Sequence, residues 1–315
     1  MEKFISCDWG TSSFRLRLIE AATKNILAET RSAQGIAATY ALWKEQDVAD
    51  RILFYTGIIL QQIIVLEQQC GYSLDDITIL ISGMASATIG MMELPYKFIP
   101  LQISKAELQT HVVPATGTCR HTIIIISGVR SATDVMRGEE TMLAGCAVAD
   151  MGSEQLFIFP GTHSKHVVVQ NGVLKDFKTY MTGEIFDLLT SKSILAASIE
   201  EDSLTPQNSK AFINGVKESV DANILNTIFH VRTNQLFGAA DKNENYHYLS
   251  GLLIGEELKD VQTNNYASVM IVASGALLSL YPQALSILAF KGDIQFVNAD
   301  NALINGQALI FDLYK

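Results

Sequence analysis

Basic residues are scarce in this chain: 23 Lys and Arg stand against 33 Asp and Glu in 315 residues, a formal charge of −10. A surface for nucleic acid or for an anionic membrane needs a basic excess that is missing here. An anionic ligand must therefore be held by local donors rather than by the field of the whole protein. Cysteines are few and scattered. Cys7, Cys70, Cys119 and Cys146 show neither metal nor redox spacing and read as reduced thiols. Long apolar runs are also missing; the segment around Ile123–Ile126 falls far short of the ~18 residues that a membrane span needs. The opening MEKFISCDWG enters a strand pattern at once, without a leader pattern, so a soluble, cytoplasmic protein is expected. Charged residues make up only 18% of the chain and hydrophobic ones 48%, which excludes a disordered protein and provides for two cores. At ~150 residues per domain, the length suggests two domains.

The local patterns repeat. Phe4 to Cys7, Phe14 to Ile19 and Asn25 to Thr30 are short β-type runs, the first two joined by the polar turn Asp8-Trp9-Gly10-Thr11-Ser12. Leu156 to Phe159, the turn Pro160-Gly161-Thr162-His163-Ser164, His166 to Gln170, the hairpin pair Asn171-Gly172 and Val173 to Phe177 give the same order again. One such meander in each half predicts two similar α/β domains facing each other. Helical stretches follow each meander: Asp50 to Gln69 and Glu139 to Val148 after the first, Gly183 to Leu195, Asn223 to Phe237 and Tyr246 to Val261 after the second. Strand runs at Ile77 to Ser82 and Thr122 to Ser127 extend the first sheet, and Gly251 and Gly255 are spaced for close helix packing. The boundary is expected at Asp150-Met151-Gly152-Ser153, giving domains 1–150 and 151–315.

The two turns carry the chemistry. A carboxylate at a strand end followed by glycine and hydroxyls suits a metal-bound polyphosphate, because the backbone can approach closely, N–H groups and hydroxyls donate, and Asp8 can orient hydrated Mg²⁺. One such turn is equally an ordinary polar hairpin. Two in duplicated domains can close on one phosphate chain, and phosphoryl transfer is mostly positioning and charge stabilisation. Lys165 adds a cation or is merely solvated, and His163 reads as structural. VMIVASGALL (269–278) is a buried strand ending in Ser274-Gly275-Ala276 before a helix, a small-residue turn that can admit adenosine as readily as it can be a plain connection. Asp134-Val135-Met136-Arg137-Gly138-Glu139-Glu140 concentrates acid at a helix start. It offers Asp134 or Glu139 as a general base, or else simply complements the helix dipole. Arg130 and Arg137 are candidate forks for a carboxylate, although surface arginines are more common than ligand-binding ones.

The segments DWGTSSFRLRL, ISGMASATIGMMELPY, SGVRSATDVMRGEETMLAG, PGTHSKH, FKTYMTGEIFDLL and YLSGLLIGEEL, in this order from Ile5 to Tyr281, resemble 2-dehydro-3-deoxygalactonokinases of the actin, sugar kinase and heat-shock chaperone superfamily. The resemblance implies two ribonuclease-H-like (actin-like ATPase) domains with a nucleotide cleft between them. It implies transfer of the ATP γ-phosphate to the 6-hydroxyl of 2-dehydro-3-deoxy-D-galactonate in galactonate catabolism, with ATP and Mg²⁺ as cofactors. Asp8, Gly10, Thr11 and Ser12 then form one phosphate motif and Gly161, Thr162, His163 and Ser164 the other, with adenosine at Ser274, Gly275 and Ala276. Asp8 is the metal ligand, and the catalytic carboxylate is Asp134 or Glu139. Substrate candidates are Arg15, Ser82, Gly83, Met84, Glu93, Arg130 and Arg137. The chain departs from the family at Thr88, Ile89 and Met91, where an Arg, a polar residue and a Trp are usual, and at His166, where an aromatic residue is usual. Expected partners are ATP and a small-molecule sugar acid, with homodimerisation left open and neither nucleic acid nor membrane involved. The alternatives are a kinase of another sugar acid or keto-sugar, or a nucleotide switch of the actin or chaperone type.

Overall fold

The computed structural model describes residues 2–46, 48–103, 107–148, 152–203, 205–262, 264 and 266–315. Two compact units emerge: Met1–Asp150, Gly172–Asp176 and Ala299–Lys315 make the first, and Met151–Asn171 and Phe177–Asn298 the second. Of the expected boundary segment, Asp150 and Met151 lie outside the described residues, while Gly152 and Ser153 form a bend.

The chain begins with β1 (Lys3–Trp9), β2 (Phe14–Glu20), β3 (Ile26–Ser32), α1 (Ile36–Glu45), α2 (Arg51–Cys70) and β4 (Ile79–Gly83). Short strands β5 (Lys97–Phe98) and β6 (Leu101–Gln102) precede β7 (Thr110–Val113) and β8 (Ile123–Ile126), and β9 (Val129–Arg130) and β10 (Val135–Met136) precede α3 (Glu139–Ala144). Next come β11 (Gln155–Phe159), β12 (Ser164–Gln170), β13 (Val173–Tyr180), α4 (Thr182–Ser191), α5 (Pro206–Ser219), α6 (Ile224–Thr227), α7 (His230–Leu236) and α8 (Lys242–Gln262). The chain ends with β14 (Ser268–Ala273), α9 (Leu277–Ile287), β15 (Asp293–Asn298) and α10 (Ala299–Asp312).

Both units use one topology. The first sheet runs β3-β2-β1-β4-β8 with β7 at its edge, and the second contains β13-β12-β11-β14-β15. In each, an antiparallel meander continues into parallel strands through its first strand: β1 pairs with β4 and β11 with β14. Parallel central strands are covered on both faces, so they read as unbroken apolar runs. All four isoleucines of β8 are accordingly buried. At the second hairpin, Asn171 and Gly172 both take positive φ (53° and 69°), the conformation that an Asn-Gly pair favours.

The helices differ in detail from the sequence expectation. The stretch 223–237 is two short helices, α6 and α7, and 183–195 is α4 followed by a 3₁₀ turn, which Ser193 opens by accepting from the Leu195 N–H at 3.0 Å. Helix α2 starts one residue after Asp50, whose carboxylate caps it by accepting from Leu53 N–H at 3.0 Å. Helices α1 and α5 have no counterpart in the sequence reading. Gly251 and Gly255 do mark a close helix contact: a Cβ on Gly251 would lie 2.1 Å from the Phe212 carbonyl oxygen of α5. No described helix is long and apolar enough to cross a membrane.

The division differs from 1–150 and 151–315 at the C-terminus, because α10 belongs with the first unit. Ile304, Ala308, Ile310 and Phe311 bury their side chains against Phe4, Ile19, Leu80 and Ile124. Gln307, fully buried, donates to the Cys7 carbonyl (3.2 Å) and to the Ser82 hydroxyl (2.9 Å). Both tryptophans, Trp9 and Trp43, lie in this unit, so their fluorescence reports its unfolding. Phe311→Ala removes a ring stacked 5.2 Å from Phe4 and should destabilise the first unit by ~3–5 kcal/mol, seen as a lower urea midpoint of tryptophan fluorescence. An unchanged midpoint would place α10 outside this core.

Candidate functional site

Each unit presents its polar turn in the same setting. In the first, Gly10 N–H closes the turn on the Ser13 carbonyl (2.9 Å), and the Gly10 and Thr11 carbonyls accept from Ile36 and Ala37 at the start of α1. Gly35 stands where a Cβ would come within 2.4 Å of the Thr11 carbonyl oxygen. In the second, the Thr162 carbonyl accepts from Glu184 at the start of α4, and a Cβ on Gly183 would come within 2.5 Å of the Gly161 oxygen. A side chain at either glycine would push the helix off the turn. Thr11, Ser12, Gly161 and Thr162 are exposed.

Asp8 sits at the end of β1, paired across the sheet with Arg15 on one side and Ser82 on the other. Burial raises the Asp8 pKa. Arg15 and Arg17 oppose that rise, and the carboxylates of Asp300 and Glu139 add to it. Glu139 and Asp300 therefore both act electrostatically on Asp8 within the first unit. Asp300, the second residue of α10, binds Arg15 Nη1 at 2.5 Å. Arg17 Nη2 lies 2.8 Å from the same oxygen, an ion pair though not an aligned hydrogen bond. Arg17 is buried and also donates through Nε to Glu29 at 2.6 Å.

The DVMRGEE segment wraps the same unit. The Ser131–Asp134 turn is closed by Ser131 N–H on the Asp134 carbonyl, and Asp134 Oδ1 accepts from Val135 N–H at 2.7 Å. Glu139 begins α3, and its Oε2 accepts from the Arg137 N–H at 3.1 Å. Arg137 Nη1 donates to the Ser86 carbonyl (2.6 Å) and hydroxyl (2.5 Å), its guanidinium lies 4.2 Å from the Tyr96 ring centre, and its Nε is buried without a partner. Arg130 donates to the Ser131 carbonyl and covers the exposed Phe98 ring at 4.6 Å. Ser82 is buried, Gly83 follows at the strand end with φ 93°, and Met84 opens a 3₁₀ turn over the core. Glu93 is exposed and accepts from the Thr88 hydroxyl at 3.0 Å. Met91 is wholly buried in the core.

In the second unit a cavity of about 460 Å³ is lined by Gly161 and Thr162 of the turn, Thr182 and Gly183 of α4, and an aromatic wall of Phe186 and Tyr246. Those two rings meet edge to face at 5.1 Å. Of the adenosine candidates, Ala276 lines the cavity beside Leu277 and Tyr281; Ser274 and Gly275 are exposed in the turn before α9. Ser164 turns its hydroxyl away from the turn's surface, donating to the buried Glu257 at 2.7 Å. His163 pairs with Glu184 at 2.5 Å, and Lys165 is buried with Nζ on the His163 carbonyl at 2.7 Å, not solvated.

Sequence reasoning missed Asp300, Arg17, Phe186, Tyr246 and Glu257. Arg17 was visible, two residues from Arg15 and so on the same strand face. Asp300 stands in no motif.

A model of the 2-keto-3-deoxy-galactonokinase family matches residues 8–310. A Rhizobium meliloti (strain 1021) protein named "Probable 2-dehydro-3-deoxygalactonokinase DgoK1" is 32% identical over 311 residues, 96% of this chain and 94% of that one. The 2-dehydro-3-deoxygalactonokinase of Escherichia coli (strain K12) is 32% identical over 238 residues, 72% of this chain and 76% of its own. A crystal structure of a Sinorhizobium meliloti protein assigned as a 2-dehydro-3-deoxygalactonokinase superposes with a TM-score of 0.83 at 30% identity, covering 99% and 97% of the two chains. The activator of 2-hydroxyisocaproyl-CoA dehydratase from Clostridium difficile, at 11% identity and a TM-score of 0.50, shares the fold alone, the actin-like ATPase fold.

Glu140 gives the site a pH signature. Its buried carboxylate accepts from Gly138 N–H (2.7 Å) and Thr141 Oγ1 (3.0 Å), and burial together with the charge of Glu139 raises its pKa from 4.5 to about 7. A raised folded-state value means stability that is present below the unfolded value and is lost as pH rises through about 7. Between about pH 5 and pH 8 the protein should lose up to ~3 kcal/mol relative to Glu140→Gln, read from urea midpoints across that range. Parallel pH curves for the two proteins would contradict the assignment. By its match across residues 8–310 and its relatives of known name, the chain belongs to the 2-keto-3-deoxy-galactonokinase family.

Proposed function

We propose that this protein transfers the γ-phosphoryl group of ATP to the 6-hydroxyl of 2-dehydro-3-deoxy-D-galactonate, in the cytoplasm, where ATP is supplied. The observation that supports it most is the matched pair of helix-braced polar turns. One ends at the acidic cluster around Asp8, and the other borders an apolar cavity of nucleoside size, in a chain of this kinase family. The reading assigns adenosine to the cavity of the second unit, against Phe186, Tyr246 and Ala276, with Gly161 and Thr162 at the phosphates. It assigns the acceptor sugar acid to the first unit.

Asp8 fits a divalent cation. It is a partly buried carboxylate whose pKa is raised by burial and by two carboxylate neighbours, a load that a cation relieves. Among the described residues no three acidic, His or Cys side chains converge in ligand geometry. That suits Mg²⁺, which keeps waters and phosphate oxygens and needs only one or two protein carboxylates. When bound, Mg²⁺ supplies charge neutralisation at the phosphate oxygens.

Glu139 is the better general base of the two candidates. It acts electrostatically on Asp8 and stands at the start of α3. Arg137 is the better fork for the substrate carboxylate, because its Nε has no partner while Arg15 is engaged by Asp300.

In a coupled ADP-release assay, turnover should depend on added 2-keto-3-deoxy acid. Asp8→Asn should lower kcat by ~10²–10³. Glu139→Gln should lower it by ~10²–10⁴, and Asp134→Asn far less. Arg137→Ala should raise KM for the acid more than KM for ATP. ATP turnover that ignores the acid would overturn the kinase reading; equal, mild effects at both carboxylates would remove the assignment of the base.

A further inference from the structure

Glu257 lies in the C-terminal half of α8 and is 2% exposed. A carboxylate has about four lone-pair sites and no proton to give. Here four donors meet it. Oε1 accepts from Ser164 Oγ at 2.7 Å and His166 Nε2 at 2.9 Å, and Oε2 accepts from Tyr281 OH at 2.9 Å and from Thr182 Oγ1. The donors come from three separate stretches of chain. Ser164 and His166 are on β12 directly after the second polar turn, Thr182 is the first residue of α4, and Tyr281 is on α9. Thr182 and Tyr281 also line the cavity, and Gly183, next to Thr182, is the residue pressed against Gly161. Tyr281 keeps its proton for this bond, since burial and the Glu257 charge push its pKa well above the ordinary tyrosine value.

A purely structural buried carboxylate needs only to be satisfied by donors. This one is satisfied by the residues that flank three walls of one cavity, and it takes the proton of the Ser164 hydroxyl. The Ser164 hydroxyl is then committed to Glu257 rather than turned to a phosphate. We propose that Glu257 positions the nucleotide site of the second unit: through Ser164, Thr182 and Tyr281 it holds the polar turn, the start of α4 and the flank of α9 in the arrangement that receives a nucleoside phosphate. The inference rests on the proposed function for the identity of the ligand. The His166 ring also packs, tilted, against Tyr180, with ring centres 4.4 Å apart.

The test is calorimetric titration of the full chain with Mg-ADP and, separately, with 2-keto-3-deoxygalactonate. Glu257→Gln keeps the shape but turns one acceptor into a donor that faces hydroxyl protons. It should weaken ADP by ~10–100-fold and the sugar acid by less than about 2-fold, with an unchanged circular dichroism spectrum. Tyr281→Phe and Thr182→Val each remove one donor and should weaken ADP by about 3–10-fold, which decides the matter if Glu257→Gln does not fold. Unchanged ADP affinity in these folded variants, even with a lowered Tm, would overturn the proposal and leave Glu257 a structural residue. Wild-type protein that binds ADP but phosphorylates no sugar acid would overturn the substrate reading alone. Wild-type protein that binds no ADP would overturn both.

Discussion

Asp300 holds Arg15 and Arg17, and the acidic end of the first unit depends on that contact. The two arginines alternate with apolar residues on β2, and Arg17 is buried, so its charge needs a fixed partner close by. The partner arrives from the far end of the sequence, on a helix that the apolar faces of Ile304, Ala308 and Phe311 dock beneath β1 and β4. Without Asp300, the buried Arg17 guanidinium would lose one of the two carboxylates that face it and keep Glu29. With Asp300 in place, the positive charge is divided between two carboxylates, and Asp8 keeps a raised pKa that a cation can lower.

The second unit solves the equivalent problem differently. Behind its turn, a carboxylate on α8 gathers three hydroxyls and the His166 ring. Both devices place a charged group from a distant segment behind a short polar turn, while a glycine lets the following helix touch the turn from the other side. A protein with a net charge of −10 attracts no polyphosphate at long range, so such short-range construction is what remains available to it.

The meanders, both turns, the Asn-Gly hairpin and the buried parallel strands were legible because each depends on local chemistry: strand periodicity, turn residues and unbroken apolar runs. The DVMRGEE segment was legible as a motif. Its internal geometry was not, since whether Asp134 or Glu139 faces Asp8 depends on how β9 and β10 turn. Helix α10 escaped the sequence reading because its partners, Phe4 and Leu80, lie more than two hundred positions away, and no local signal says which sheet an apolar helix will cover. Asp300 and Glu257 escaped for the same reason: each is one acidic residue on an amphipathic helix, and its meaning comes from arginines or hydroxyls elsewhere in the chain. At Ser164, residue type and structure point to different partners. A serine in a phosphate-like turn suggests a donor hydroxyl, and the fold spends that proton on Glu257.

The proposed function rests on transfer to the 6-hydroxyl of a 2-keto-3-deoxy acid. It is tested most directly by incubating the protein with Mg-ATP and 2-dehydro-3-deoxy-D-galactonate and recording phosphorus and proton magnetic resonance spectra of the products. The expected products are ADP and a phosphomonoester coupled to the protons on C6. Free inorganic phosphate beside unmodified sugar acid would contradict it.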